Sequence, residues 1–377
     1  TEEEWAKNVN ENPHNNEYIG NGPYRITTWS TQYVEAERYD DYWDKDNPKY
    51  GGYLDTIRWR YINDDNAAFQ AAINGELDLF MRLKSEDYFG EATETPEFKK
   101  RLYKGYLYTG TYGYTAWNLK RPYFKDNAVR EALAHAFDMK NYVKTQYHGL
   151  ARVVTGPPNR CSLAYDKTVP YPEYDPDLSE ELLAEAGWYD RDGDGIIDKD
   201  GIPFEFEFLY PTGNEASKTF GLKYQEAVAD LGIKVNLANL EWATYLDRVL
   251  ARDFDAINMA WVPGIESDPE QIWHSKWAKE GLKSSNFISY ADPETDRLIE
   301  AIQRELDHDK RMDLWHQFHR RVASLHPYFF MSNVPRKFTM ARRFRGFKTS
   351  VISPGYSLRQ VYLPAGTPGT RATPERD

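Results

Sequence analysis

The first feature of the hydrophobic pattern is a group of three short runs that are rich in β-branched and aromatic residues and bounded by Gly, Asp or Asn. This pattern is typical of β-strands. The runs are GPYRITTW, YVEAERY and LDTIRWRYI, all within residues 22–62. A short helix is predicted over DDNAAFQAAING, with Asp64 or Asp65 as its cap and Gly75 at its end. The strand-like ELDLFM and the aromatic YLYTGTYGYTAWNL follow, so the first third of the chain is predicted to be rich in strands.

A helical period begins in the segment DNAVREALAHAFDMKNYV. Val129, Leu133 and Phe137 recur at four-residue steps on one face, and Asp126 precedes them as the expected N-cap. The pattern predicts one amphipathic helix over residues 126–143.

Helices and strands alternate through much of the remaining chain. The predicted order is a helix over 179–187, a strand over 204–210, a helix over 216–230, a strand over 233–240, a helix over 242–253 and a strand over 254–262. Two helical segments, PETDRLIEAIQREL and DKRMDLWHQFHRRVASL, and a final strand, YFFMSNV, follow. This rhythm predicts an α/β fold with a parallel or mixed sheet covered by helices. It places a domain boundary near residue 118, and the Pro/Gly/Thr-rich end after Pro364 is predicted to be disordered.

The composition narrows the class of partner. The chain has 377 residues, which is enough for two domains and a sizeable core. Its net charge of −12 argues against nucleic acid or an anionic membrane surface as the main partner, because both require a basic face. Aromatic residues make up 15%, with 28 tyrosines and 11 tryptophans. An aromatic-rich core and a ligand cleft are both consistent with this content.

The sequence carries none of the common catalytic signatures. It has no phosphate-binding Gly-x-x-x-x-Gly-Lys-Ser/Thr run and no Gly-x-Ser-x-Gly elbow, and GNGPYR lacks the third glycine of a dinucleotide-binding turn. The single cysteine, Cys161, excludes an intrachain disulfide and lies in the polar stretch NRCSLAY, without the context of a thiol nucleophile. His316 and His319 could chelate zinc from one helix face, but the apolar stripe beside them favours a position at the edge of the core. Spacing singles out no pair of carboxylates as a glycosidase acid and base.

The most unusual motif is YDRDGDGIIDKDG, residues 189–201, in which aspartates stand at alternate positions and a glycine takes the sixth place. This spacing is typical of a loop that binds Ca²⁺. The candidate ligands are Asp190, Asp192, Asp194, Ile196 and Asp198. The twelfth place holds Gly201 where an EF-hand has glutamate, and a strand is predicted after the loop, which excludes an EF-hand pair. A calcium site and a metal-free Asp/Gly turn both stay open.

Several stretches, taken in order, carry a resemblance to a known family. They are IGNGPYRITTW, DDYWD, LDTIRWRYINDDNAAFQAAINGELDLF, WNLKRPYFKDNAVREALAHAFDMKNYV, AGWYDRDGDGIIDKDG, SNFISYADPETDRLIEAI and HPYFFMSNV. Together they resemble the extracytoplasmic solute-binding proteins of the oligopeptide and dipeptide ABC-importer family. The resemblance covers nearly the whole chain.

The resemblance implies a periplasmic-binding-protein-like (type II) two-lobed α/β fold, with mixed sheets flanked by helices and an incomplete first lobe. The implied organisation is a partial lobe I over 1–118, lobe III over 119–330, return strands to lobe I over 331–365 and a disordered tail over 366–377. The start of the chain resembles the middle of the first lobe. The signal peptide, the N-terminal segment and the second lobe of the family are therefore expected to be missing.

The resemblance also implies a function. It indicates the substrate-binding component of an ABC importer, which is not an enzyme, captures an extended solute such as an oligopeptide between its lobes and delivers it to a membrane permease. The expected location is extracytoplasmic, either periplasmic or as a membrane-anchored lipoprotein. The protein is expected to be a monomer that requires no cofactor apart from the candidate Ca²⁺.

The stretch NMAWVPGIESDPE aligns with the place where peptide binders of the family meet the amino terminus of the ligand. Trp261 matches the family's tryptophan, but Gly264 stands where many peptide binders carry an aspartate, with Glu266 or Asp268 as substitutes, and Asn258 stands where some carry an arginine. The expected ligand contacts are Trp261, Gly264, Asp268, Asn258, Tyr112, Tyr114 and Asn118, the last three near the hinge. These departures keep oligosaccharides and other solutes open as ligands. A secreted hydrolase is the rival from another class.

Overall fold

The computed structural model describes residues 4–5, 8–9, 11–49, 51–279 and 281–367. The chain divides into two compact units. Unit 1 contains the residues up to 107, residues 336–350 and those from 354 onward, and unit 2 contains residues 108–335 and 351–353. Most of the predicted disordered end, from residue 368 onward, lies outside the described residues.

Unit 1 is built mainly from antiparallel strands. Its strands are β1 (Tyr24–Trp29), β2 (Tyr33–Arg38), β3 (Thr56–Arg60), β4 (Leu79–Phe80), β5 (Leu102–Leu107), β15 (Arg336–Ala341), β16 (Lys348–Thr349) and β17 (Tyr356–Ser357). Its helices are α1 (Asp65–Asn74), α2 (Ser85–Phe89) and α3 (Pro96–Arg101). Strands β1, β2 and β3 form one sheet, β15 pairs with both β4 and β5, and β16 pairs with β17. The three strands predicted between residues 22 and 62 are thereby confirmed.

The ends of α1 follow from local sequence. The Asp64 carboxylate accepts a hydrogen bond of 2.7 Å from the backbone N–H of Ala67 and so caps the first turn. Gly75 ends the helix with a φ of +86°, a left-handed conformation that glycine adopts without steric cost. The predicted cap and the predicted end of this helix are both confirmed.

Unit 2 is an α/β unit around one mixed sheet. Its strands are β6 (Tyr112–Trp117), β7 (Arg152–Val153), β8 (Asp198–Lys199), β9 (Ile202–Pro203), β10 (Glu205–Pro211), β11 (Lys234–Leu240), β12 (Ala256–Trp261), β13 (Tyr328–Phe330) and β14 (Ser332–Asn333). Its helices are α4 (Asn127–His135), α5 (Met139–Gln146), α6 (Pro176–Glu185), α7 (Glu215–Ala229), α8 (Trp242–Leu250), α9 (Glu270–Trp273), α10 (Pro293–Arg304) and α11 (His308–Ser324). None of the described helices combines the length and apolar composition that a membrane span requires.

The central sheet of unit 2 has the strand order β11-β10-β12-β6-β13. Strand β10 is parallel to β11 and β12, whereas β6 is antiparallel to β12 and β13. Side chains alternate between two hydrophobic cores, as the two-residue period of a strand requires. Phe208 lies in one core with residues of α4 and α7, and Leu209 lies in the other with residues of α8, α10 and α11. The predicted mixed sheet flanked by helices is confirmed.

The boundary between the units differs from the prediction near residue 118. Residues 108–118 belong to unit 2, because β6 pairs with β12 on one side and β13 on the other. The aromatic composition of this stretch matches that of the first third of the chain. Its membership is decided by strands that lie more than a hundred residues later in the sequence.

The amphipathic segment 126–143 also differs from the prediction, because it forms two helices rather than one. Asp126 caps α4 by accepting a hydrogen bond from the N–H of Ala128, as predicted. Asp138 then accepts a 2.9 Å hydrogen bond from the N–H of Asn141 and begins α5. A second capping residue therefore interrupts a continuous hydrophobic period.

Candidate functional site

A cavity of about 190 Å³ lies in unit 2 at the carboxyl end of β12. Its lining comes from the end of β12 and the following residues 261–269, from the start of α9, from residues 157–159 and from α11 through Trp315. Tyr112, at the first position of β6, completes the lining because the register pairs it with Trp261. The antiparallel pairing of β6 with β12 thus brings the two predicted contact residues together.

One wall of the cavity is supported by stacked aromatic rings. The ring of Trp261 lies nearly parallel to those of Tyr114 and Phe287, at centroid distances of 6.0 and 6.1 Å. Tyr114 in turn stacks on Tyr328 at 4.2 Å. Tyr114 is fully buried and is not among the residues that line the cavity. It therefore supports Trp261 from within the core.

The tyrosines beside the cavity are uncharged. Burial raises the pKa of Tyr112 and Tyr114 well above the ordinary tyrosine value, and the neighbouring Tyr328 adds to the effect. Desolvation has this direction because it disfavours the phenolate. These hydroxyls stay protonated over the whole physiological pH range.

The loop after β12 is held by hydrogen bonds that bring two distant segments together. The side-chain amide of Asn159 donates to the carbonyl oxygens of Pro263 and Gly264, at 3.3 and 3.2 Å. The hydroxyl of Ser267 accepts a 2.6 Å hydrogen bond from the N–H of Gly264. Asn159 is buried and packs closely on Gly110, where an added Cβ would lie 2.2 Å from its amide nitrogen. The sequence pattern did not single out Asn159, which lies in the unremarked loop GPPNR.

Carboxylates near the cavity have defined partners. Asp268 accepts hydrogen bonds from the backbone N–H of Glu270 and from the side chain of Gln303, both at 2.9 Å. Hydrogen bonds from Gln303 and Lys276 hold the pKa of Glu270 at about 2. Glu266 pairs with Arg311 at 3.2 Å. The rim of the cavity next to Asp268 therefore carries negative charge at neutral pH.

The cavity brings together four of the seven predicted ligand contacts: Tyr112, Trp261, Gly264 and Asp268. Tyr114 lies behind the wall, and the structure places the other two elsewhere. Asn258 points to the opposite face of β12, where its side-chain oxygen accepts a 2.6 Å hydrogen bond from Ser217. Three residues separate it from Trp261, and the two-residue period of a strand puts such a pair on opposite faces.

Asn118 follows the other end of β6. Its side-chain amide donates to the carbonyl oxygens of Phe254 and Arg252, at 2.8 and 3.0 Å. Six residues of extended chain separate Asn118 from Tyr112, which corresponds to roughly 20 Å. Asn118 therefore joins the start of β12 to β6, at the far end of the strands from the cavity.

The two histidines of α11 have separate partners. His319 is fully buried, and its Nδ1 accepts a 3.1 Å hydrogen bond from the N–H of Asp166. Its Nε2, which then carries the proton, donates to the hydroxyl of Thr155 at 3.0 Å. His316 is hydrogen-bonded to the carbonyl of Leu163 at 2.9 Å. Burial lowers the pKa of His319 to about 4, so the ring is a neutral core group at pH 7.

The aspartate-rich loop brings part of the predicted ligand set together. One carboxylate oxygen each from Asp190, Asp192 and Asp194 lie within 4.8 Å of one another, all on exposed residues. Asp198 is instead paired with Arg191 at 3.1 Å, and the N–H of Ile196 donates to Asp194 at 2.8 Å. Clustered carboxylates are ligands that Ca²⁺ accepts. Calcium binding by this loop stays a prediction.

Residues 3–284 match the family of bacterial extracellular solute-binding proteins, family 5 Middle. The chain belongs to this family. This family 5 chain is 31% identical over 351 residues to the oligopeptide-binding protein AppA of Bacillus subtilis (strain 168), in a match that covers 92% of this chain and 62% of AppA. The chain thus spans less than two thirds of the length of that relative.

Solved structures give the same assignment. The structure of AppA from Bacillus subtilis in complex with a nonapeptide is similar to this family 5 chain with a TM-score of 0.77 and 29% identity, over 94% of this chain and 69% of that one. NikZ from Campylobacter jejuni in complex with Ni(L-His) is similar with a TM-score of 0.78 and 21% identity, over 91% and 67%. The likeness to NikZ shows the fold alone. The expected periplasmic-binding-protein-like (type II) fold is confirmed.

Proposed function

We propose that this family 5 chain belongs to the substrate-binding component of an ABC importer, which captures a peptide and delivers it to a membrane permease. The observation that carries the proposal is the cavity at the end of β12, where Tyr112, Trp261 and Asp268 come together. The family assignment and the 31% identity to an oligopeptide-binding protein support a peptide as the ligand.

The proposed protein acts outside the cytoplasm, as a periplasmic protein or an anchored lipoprotein, and works as a monomer. The family's description as extracellular solute-binding proteins supports this location. Its role is recognition and release of a solute, with no covalent step. A net charge of −12 supports a role without nucleic acid.

Asp268 is the proposed partner for the peptide's amino terminus. The family resemblance places an aspartate at the position of Gly264, and Asp268 lies on the same loop at the edge of the cavity. Its carboxylate accepts two hydrogen bonds within the chain, whereas a carboxylate has about four acceptor sites. The side chain can therefore accept further hydrogen bonds from an ammonium group.

Calorimetric titration of the chain with pentaalanine and with N-acetyl-pentaalanine tests this proposal. We expect Asp268→Asn to weaken binding of the free peptide about 10- to 100-fold, which is the range for loss of a charge-assisted hydrogen bond. The acetylated peptide, which has no ammonium group, should bind the chain and the variant equally. Asp313→Asn, an exposed position on α11 that does not line the cavity, is the matched control and should change neither affinity.

Native mass spectrometry of the gently purified chain tests the ligand class independently. A ladder of bound masses that fragment as short peptides is the expected result. A single discrete sugar mass would contradict the peptide assignment and favour an oligosaccharide, the alternative that Gly264 keeps open. Turnover of a bound substrate would favour the hydrolase.

A further inference from the structure

The walls of the cavity at the end of β12 are mainly apolar and aromatic. Tyr112, Trp261, Trp273 and Trp315 contribute rings, and Ile272 contributes an aliphatic group. Trp273 and Trp315 are only 2% and 5% exposed, so the core holds them in place. Such walls favour an apolar group of a ligand, because its transfer out of water is favourable in proportion to the apolar area removed.

The size of the cavity limits what it can receive. Its volume is about 190 Å³. For comparison, an apolar cavity of about 150 Å³ lined by aliphatic and aromatic side chains binds benzene. The cavity therefore has room for one phenyl or isobutyl group, but not for a run of several residues.

The charge of the lining limits it further. Among the described residues that line the cavity, Asp268 is the sole one with a charged side chain, and none is a lysine or arginine. A carboxylate that entered would be desolvated without a counter-charge and would meet Asp268 at the rim. Burial of an unpaired charge is strongly unfavourable, so an acidic group is excluded.

The cavity is held open by contacts within the protein. Asn159 ties the carbonyl groups of Pro263 and Gly264 to the segment on the other side, and Ser267 ties the N–H of Gly264. Because these hydrogen bonds are present without a ligand, the loop need not be ordered on binding. A pre-organised site loses less entropy when it is filled.

On the basis of the proposed peptide-binding function, we propose that this cavity selects one large, neutral apolar side chain of the bound peptide, such as that of Phe or Leu. The same cavity excludes Asp and Glu at that position of the peptide. The remaining positions of the peptide lie outside this cavity and are not selected by it.

A positional scan of pentaalanine tests the selection. Phe, Leu or Asp replaces each alanine in turn, and binding to the full chain is measured by calorimetry. Phe and Leu are expected to raise affinity about 10- to 100-fold at one position alone, which is the range for burying one such side chain. Asp at that same position is expected to weaken binding at least about 10-fold.

Two variants locate the effect in the cavity. Val262→Asp places a charge on a lining residue that is 53% exposed, and exposed positions tolerate such a change. Ala164→Leu fills part of the cavity from a buried lining position. Both variants should lose the preference for Phe while still binding pentaalanine. Leu306→Asp, at an exposed residue outside the lining, is the matched control and should keep the preference.

The outcomes separate this inference from the function on which it rests. If pentaalanine binds but Phe gains no affinity at any position, the side-chain selection is wrong and peptide binding stands. A preference that survives in Val262→Asp would likewise overturn the assignment to this cavity. If no peptide of the scan binds, the proposed function itself is overturned, and the selection with it.

Discussion

Acid should destabilise unit 2 through His319. The ring is fully buried and neutral, its Nδ1 accepts a hydrogen bond from the N–H of Asp166, and its pKa is lowered by burial from 6.5 to about 4. In the unfolded chain the ring binds a proton near its ordinary pKa. Protonation therefore favours unfolding, and stability is complete above about pH 6.5 and is lost as the pH falls toward 4.

The size of the effect follows from these two pKa values. For one group with a pKa of 6.5 unfolded and about 4 folded, linkage gives a loss of about 1.4 kcal/mol at pH 5.5 and about 2.6 kcal/mol at pH 4.5. His326, whose pKa burial also lowers to about 4, adds to the loss in the same window. Burial opposes ionisation of Asp166, but hydrogen bonds from Thr168 and Arg320 hold its pKa at about 2, so its contribution disappears only at lower pH.

Urea unfolding at pH 7.5, 6.5, 5.5 and 4.5, followed by tryptophan fluorescence, measures this dependence. His319→Gln should be less stable than the parent chain by about 1–3 kcal/mol at pH 7.5, because it disrupts the buried hydrogen bonds. The gap should narrow by about 2.6 kcal/mol at pH 4.5, because the variant has no imidazole to protonate there. His316→Gln keeps His319 and should keep the full pH dependence. Parallel curves for His319→Gln and the parent chain would refute the reasoning.

Three further predictions concern single side chains. Asn159→Ala should lower the free energy of unfolding by about 1–3 kcal/mol, because the Pro263 and Gly264 carbonyls lose their donor; unchanged urea midpoints would contradict this. Asn258→Ala leaves the hydroxyl of Ser217 without its acceptor and should cost about 1–3 kcal/mol, yet calorimetry should show pentaalanine affinity within about twofold of the parent's, since the side chain lies on the opposite face from the cavity. If the aspartate loop binds calcium, Ca²⁺ should raise the melting temperature of the parent chain over that in EDTA but not that of Asp192→Ala; equal melting of the parent in both solutions would exclude the metal.

Residues that act over short distances in sequence could be predicted. Asp64 and Asp126 cap helices because their carboxylates reach backbone N–H groups two or three residues away, and Gly75 ends a helix by its own backbone conformation. The alternation of helices and strands after residue 176 follows the hydrophobic period for the same reason. A stricter use of the strand period would also have separated Asn258 from Trp261 on the two faces of β12.

The candidate site was predictable in part. The resemblance of NMAWVPGIESDPE to the family directed attention to Trp261, Gly264 and Asp268, which do line one cavity. The same reasoning missed Asn159, because nothing in GPPNR marks a residue that donates to carbonyl groups a hundred positions later. It also grouped Asn118 with Tyr112, although the two lie at opposite ends of β6.

The sequence by itself thus determined the caps, the periodic elements, the α/β class and the family, since each depends on neighbouring residues or on the order of motifs along the chain. Only the tertiary structure decided that residues 108–118 belong to unit 2, that one wall of the cavity is a stack of rings with Tyr114 behind Trp261, and that His319 is a neutral core group. These properties depend on strand register, burial and hydrogen bonds between segments far apart in the chain. Local patterns carry no record of such pairings, because the energy that selects them arises only when the distant segments meet.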